Sequence, residues 1–346
     1  MAVLIFTALL SASNLVINRG RKMQAELKKR KIGNTQLEVA PLAFGGNVFG
    51  WTIDEPTSFE LLDGFVDAGL NLVDTADVYS AWKEGNVGGE SETIIGKWFK
   101  RSGKRNKVVL ATKCGFDGST DKKNLSAVHI HKAVDASLKR LQTDHIDLYQ
   151  AHVDDDKVGL EESLEAFDQL IKAGKIGAIG ASNYSAARLA EALKVSEQNS
   201  LARYQCLQPE YNLYARAGYE NNLEELCVKE NIGVISYFSL ARGFLSGKYR
   251  SEEDLSQSAR GAGVKTYLNE RGFRILAALD KLAAEYSSTP TCIALAWLIA
   301  RPSITAPIVS ATNLKQLDDL IASTKIILAP AAIELLNEAS KELSVV

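Results

Sequence analysis

At 346 residues the chain is long enough for one large barrel or two ordinary domains, and 46% hydrophobic with 24% charged residues is the balance of a soluble globular protein. Forty basic against 42 acidic side chains leave a net charge of −2, which excludes the basic surplus expected of a nucleic-acid binder. The four cysteines, Cys114, Cys206, Cys227 and Cys292, lie far apart without metal-ligand spacing, so the sequence predicts reduced thiols, no metal site and a cytoplasmic protein.

Residues 1–22 open with an apolar run at 2–10 that is too short to span a bilayer and has no Lys or Arg before it. The stretch from Met23 onward already reads as a domain entrance. We therefore set 1–22 apart as an N-terminal extension and expect 23–346 to be a single domain. Residues 30–32 and 37–40 flank a Gly33-Asn34 turn, a hairpin signal. Eight strand-like runs then follow at 42–46, 70–75, 108–113, 146–152, 176–182, 204–208, 232–237 and 306–310. Helix-period segments at 57–68, 91–101, 129–141, 159–173, 186–197, 220–230 and 269–286 separate most of them, and Ser91, Ser185 and Asn313 stand at expected helix starts. This alternation predicts an α/β fold, a (β/α)8 TIM barrel with an N-terminal β-hairpin and a C-terminal extra helix over 330–343. Two long loops, 79–90 and 239–268, follow strand ends, where barrels build their sites.

Three of the strand ends carry ionisable groups. The run NLVDTADVYS at 71–80 brings Asp74 and Tyr79, VVLATKC at 108–114 brings Lys113, and IDLYQAH at 146–152 ends in His152. A phenol is a poor acid at neutral pH, and an ammonium close by would lower its pKa while a carboxylate held that ammonium in place. His152 would hydrogen-bond a substrate oxygen or relay its proton. Such a set suits protonation of an oxyanion forming from a carbonyl. No side chain supplies hydride, so a cofactor is required. Trp51, Trp82 and Phe116 follow the first three strands and are candidates for an apolar substrate pocket, or for simple loop packing. Taken singly, Asp74 is also an ordinary turn residue and His152 an ordinary strand-end histidine.

Together with ATKCG at 111–115, IGASN at 179–183, LQPEYN at 207–212 and ISYFSLARGFLSGKY at 235–249, the run at 71–80 and His152 resemble the aldo-keto reductase superfamily. The likeness is greatest to the bacterial branch that is also similar to potassium-channel β subunits. By that resemblance Asp74, Tyr79, Lys113 and His152 correspond to the catalytic four, with Tyr79 as general acid. Ser182, Asn183 and Gln208 correspond to the residues that bind the nicotinamide carboxamide, and Tyr237 to the ring that stacks on it. Phe238, Ser239, Leu240, Ala241, Arg242 and Lys248 correspond to the pyrophosphate loop, Gly46 and Asn47 to further cofactor contacts, and Arg260 to a basic cofactor residue. Ser310, Thr312, Gln316 and Asp319 fall where adenine and the 2'-phosphate are held, although Ser310 replaces the usual Gly, Leu320 the usual Asn, and no Arg stands at 312. The resemblance implies NADPH, with NADH as the lesser alternative, acting on a small-molecule carbonyl substrate. Two other readings share part of the pattern: an NADP-binding redox sensor with little turnover, and a Schiff-base lyase using Lys113.

Overall fold

The computed structural model describes residues 27–117, 120 and 122–342, so the extension at 1–22 lies outside the described residues. The chain begins with an antiparallel hairpin, β1 (Arg30–Lys31) and β2 (Glu38–Val39), in which Arg30 faces Val39. The repeat then runs β3 (Ala43–Gly45), α1 (Glu55–Asp67), β4 (Leu72–Asp74), α2 (Glu90–Ser102) and β5 (Val109–Cys114). After it come a short hairpin, β6 (Phe116–Asp117) with β7 (Lys122–Lys123), then α3 (Ala127–Leu141), β8 (Ile146–Ala151), α4 (Leu160–Lys172), β9 (Ile176–Ser182) and α5 (Ala186–Gln198). The last part is β10 (Cys206–Gln208), α6 (Ala217–Glu220), α7 (Leu223–Lys229), β11 (Gly233–Val234), α8 (Glu270–Glu285), α9 (Pro290–Ala300), β12 (Ile308–Val309), α10 (Leu314–Ser323) and α11 (Pro330–Ser340).

All eight strand-like runs enter one parallel sheet, ordered β11-β10-β9-β8-β5-β4-β3-β12. The two ends of that order meet. Thr305 N and Ala306 N donate to the Val234 carbonyl, and Ile308 N donates to that of Ser236, so the sheet closes on itself as a (β/α)8 barrel. Closure leaves each strand buried on both faces, which is why the runs read as continuously apolar.

Inward-facing Leu72, Ala111, Leu148, Ala178, Cys206 and Ile235 fill the barrel, joined by Ile32 and Val39 from the hairpin, which seals the end opposite the site. Arg30 fastens that hairpin by donating to the carbonyls of Ile299 and Ile304, each at 2.8 Å. Outward-facing strand residues meet the helices in a second, larger core that includes Phe65, Trp98, Phe167 and Trp297.

Of the three helix starts expected at Ser91, Ser185 and Asn313, two hold. Ser185 and Asn313 accept from the backbone of Arg188 and Gln316 as N-caps. Ser91, expected to cap α2, lies inside it. The helix begins earlier because Gly89 supplies a left-handed turn at φ 85°, and the freed Ser91 hydroxyl donates instead to the Gly46 carbonyl at 2.8 Å. The helix α9 and the β6–β7 hairpin are additions to the elements expected from the sequence.

Candidate active site

Strands β4, β5 and β8 run side by side, with Asp74 paired to Ala111, and Lys113 to Gln150, so their C-terminal side chains converge. Lys113 is fully buried. Its Nζ donates to Asp74 Oδ2 at 2.7 Å, to the Thr75 carbonyl at 2.8 Å and to Tyr79 Oη at 2.9 Å. An ammonium has three protons, and all three are placed. Because Tyr79 Oη accepts here, its own proton is left to point elsewhere, and the ring lines a cavity of about 790 Å³.

The charges in this cluster depart from the simplest expectation. Burial alone would lower the Lys113 pKa, but the Asp74 carboxylate and the Tyr79 oxygen hold it above its ordinary value. Burial likewise pushes the Tyr79 phenol above its ordinary value; the Lys113 ammonium offsets that push only in part, and Asp74 adds to it. The lowered phenol expected from an adjacent ammonium is therefore reversed, since desolvation opposes the anion more strongly than Lys113 favours it. Burial, reinforced by the Lys113 charge, holds His152 well below its usual range. Its imidazole is neutral, edge-on to Tyr79 with ring centroids 6.0 Å apart, and Nδ1 is buried without a partner. A neutral ring offers one N–H that suits hydrogen bonding to a substrate oxygen.

A further residue completes the cluster. Gln150, fully buried on β8, donates from Nε2 to Asp74 Oδ1 at 3.3 Å and accepts at Oε1 from Gln208 Nε2 at 3.2 Å. Gln208 donates to the same Asp74 Oδ1 at 2.9 Å. Asp74 thus has Lys113 on one oxygen and two amides on the other. Sequence reading missed Gln150 because it carries no charge and sits inside an apolar run.

Most of the expected binding residues surround the same cavity. Asn47, Ser182, Asn183, Gln208, Tyr237, Phe238, Ser239, Leu240, Arg242, Lys248, Arg260, Ser310, Thr312, Gln316 and Asp319 line it, together with Trp51 and Trp82. Gly46, Ala241 and Lys113 stand just behind the lining, and Phe116 is set back on β6, edge-on to His152 at 5.5 Å. Trp51 and Trp82 meet edge to face at 5.5 Å, and Trp82 meets Tyr79 at 5.9 Å, so an aromatic wall rises beside the phenol.

Several of these residues are engaged with one another. Asn183 donates to Ser182 Oγ and to the His152 carbonyl, and accepts from Tyr237 Oη at 2.8 Å. Ser239 Oγ donates to the Ile308 carbonyl at 2.7 Å. Ser310 Oγ donates to the Gly45 carbonyl at 2.6 Å, beside Asn47 Oδ1 at 2.8 Å, and Thr312 donates through N and Oγ1 to Gln316 Oε1. The turn after β11 is left-handed at Phe238, Ala241 and Arg242, with φ of 51°, 47° and 58°. Arg242 lies over the Phe238 ring at 4.4 Å, and Lys248 over Tyr249 at 4.9 Å. No group of three or more His, Cys, Asp or Glu side chains able to hold a metal ion occurs among the described residues. No helix among them is long and apolar enough to cross a membrane.

Comparison with known proteins shows the family of the chain. The chain is 35% identical to the uncharacterized oxidoreductase YrpG of Bacillus subtilis over 314 residues, 89% of this chain and 94% of that protein. It is 36% identical to the aldo-keto reductase YhdN of the same organism over 285 residues, 80% of this chain and 81% of that one. It is 30% identical to the aldo-keto reductase yakc [NADP(+)] of Schizosaccharomyces pombe over 330 residues, 92% of each. Residues 41–341 match the aldo/keto reductase family as a whole, and the chain is an oxidoreductase that belongs to that family.

Proposed function

We propose that the chain reduces aldehydes or ketones to alcohols with NADPH, Tyr79 serving as general acid. The observation that carries this reading is the hydrogen-bond order at Lys113: with all three ammonium protons donated, one of them to Tyr79 Oη, the phenolic proton is free for a substrate oxygen in the cavity. A bound nicotinamide would supply hydride to the carbonyl carbon. As negative charge grows on the carbonyl oxygen, Tyr79 gives up its proton, and the nearby ammonium stabilises the phenolate left behind. Because burial opposes that phenolate, Lys113 matters most at this moment. His152 donates a second hydrogen bond to the same oxygen.

The residues present fit the cofactor. Gln208 Oε1 has no donor among the described residues, while Nε2 is engaged with Asp74 and Gln150, so the amide is set to accept from a carboxamide N–H. Tyr237, pinned through its hydroxyl to Asn183, offers a ring face, with Ser182 and Asn183 beside it. Arg242 and Lys248, neither in an ion pair among the described residues, would meet the pyrophosphate on the left-handed turn formed by Phe238, Ser239, Leu240 and Ala241. Asn47, with Gly46 behind it, would add a further cofactor contact, and Ser310, Thr312, Gln316 and Asp319 would frame the adenosine. Trp51 and Trp82, with Phe116 behind His152, would hold an apolar substrate body. The same Lys113 geometry disfavours a Schiff-base lyase, since a fully hydrogen-bonded ammonium with a raised pKa has no lone pair to attack with.

The test is oxidation of NADPH, with NADH compared in parallel, by purified protein and 4-nitrobenzaldehyde. Tyr79→Phe is expected to lower kcat by about 100-fold or more, the loss typical of a general acid. Tight NADPH binding without turnover in the parent would instead favour the sensor reading.

A further inference from the structure

We propose that Arg260 determines substrate specificity, and that the carbonyl compounds this site favours carry a carboxylate which Arg260 receives. The inference rests on the carbonyl-reductase reading. Arg260 lines the same cavity as Tyr79, yet its guanidinium makes no hydrogen bond or ion pair among the described residues, and its Nη2 is buried without an acceptor. Every other withdrawn arginine named here has an acceptor: Arg30 and Arg274 donate to carbonyls, while Arg105, Arg188, Arg203, Arg216 and Arg301 pair with carboxylates, even though Nε of Arg203 and of Arg301 is itself buried without a partner. A largely buried cation without a counter-charge is costly, and a ligand anion would relieve it.

The resemblance carries Arg260 to the cofactor, but its place in the cavity points to the substrate. Its Cζ lies over the Trp51 ring at 5.2 Å, and the contacts continue from Trp51 to Trp82 and from Trp82 to Tyr79. Arg242 and Lys248 already offer two cations to the pyrophosphate. A substrate with its carbonyl oxygen at Tyr79 and a flat body along the two tryptophans would end at the guanidinium, whose planar fork suits a carboxylate.

The loop that carries Arg260 requires glycine at the next position. A Cβ on the adjacent Gly261 would lie 1.6 Å from the Leu255 carbonyl oxygen, so only glycine permits this path. The carboxylate takes no part in the chemistry. Hydride goes to the carbonyl carbon and the Tyr79 proton to its oxygen, while the nicotinamide is oxidised.

The experiment compares 4-formylbenzoate with methyl 4-formylbenzoate, which differ in charge and little in shape. We expect the parent to favour the acid in kcat/KM by about tenfold or more, the worth of one charge-assisted bond. Arg260→Gln should remove most of that preference through KM for the aldehyde, and Arg260→Lys should keep part of it. Titration of both aldehydes by tryptophan fluorescence reads the same preference without turnover. Equal use and equal binding of the two aldehydes by the parent would overturn the proposal. So would an Arg260→Gln variant in which both suffer alike while NADPH affinity falls, since Arg260 would then serve the cofactor. If neither aldehyde is reduced, the reductase reading fails, and the binding preference still decides whether the anion subsite exists.

Discussion

At the scale of single residues, the site depends on the hydrogen bonds that hold Asp74. Its Oδ2 takes the Lys113 ammonium, and its Oδ1 takes amide protons from Gln150 and Gln208. Asp74, Tyr79, Lys113 and His152 were legible because an ionisable residue ending an apolar run has few reasons to be there. Gln150 gave no such signal, since an uncharged amide within IDLYQAH reads as one more strand residue. Its effect follows from its contacts: it does not line the cavity, so it acts through Asp74 and Gln208. Gln150→Leu removes two long hydrogen bonds, one to Asp74 and one from Gln208, and at about 0.5–1.5 kcal/mol for the bond to Asp74 should lower kcat by about 3- to 10-fold. KM for the aldehyde should stay near the parent value. A lower melting temperature with kcat intact would instead make Gln150 structural filling.

At the scale of elements, the stretch from β4 to α2 shows how the barrel wall is held against the site. Thr75 Oγ1 pairs with Ser91 Oγ at 2.7 Å, and the fully buried Glu92 accepts from Thr112 Oγ1 and from Arg140 Nε, each at 2.6 Å. Asp77 lies beside this network with Oδ1 buried and unpartnered. Burial, with the Glu92 carboxylate adding, pushes its pKa up to about 8. The folded protein therefore binds a proton at Asp77 that the unfolded chain releases near its ordinary value of 3.8. Stability from this group is complete below that ordinary value and is lost as pH rises through about 8. Asp77→Asn removes the titration, so its melting temperature should rise above the parent's at pH 8 to 9, by on the order of 2 °C or more, and the gap should close towards pH 4. A gap that does not change with pH would refute this account. Helix α9 shows the converse limit of the sequence. Every residue from Cys292 to Leu298 is buried, so the segment has no polar face, and helical period is visible only where polar and apolar residues alternate. The two-residue strands of the β6–β7 hairpin are too short to show alternation at all.

At the scale of the whole molecule, the barrel separates stability from chemistry by putting them at opposite ends. The cavity opens where the strands finish, and the β1–β2 hairpin closes the end where they begin, bringing Ile32 and Val39 onto Ala43, Leu72 and Ala306 inside the ring. Its turn is tightly fitted, since a Cβ on Gly33 would lie 2.4 Å from the Gln205 carbonyl oxygen. That plug was legible as a Gly-Asn turn between two short runs, whereas its seat on Gln205 and Gly233 depends on contacts distant in sequence that no local pattern records. Ile32 is fully buried, so Ile32→Ala should cost about 2–4 kcal/mol by leaving a void that rigid neighbours cannot fill. In a chain of this size that corresponds to a fall of a few degrees in melting temperature. With the full barrel between Ile32 and Tyr79, kcat at 25 °C should remain within about twofold of the parent, because distant sites without shared partners act independently. Thermal melting and steady-state reduction on the same preparation decide it: a large loss of kcat with melting unchanged would show that the plug sets the register of the strands that carry Asp74 and Lys113, and that the two ends of the barrel are coupled after all.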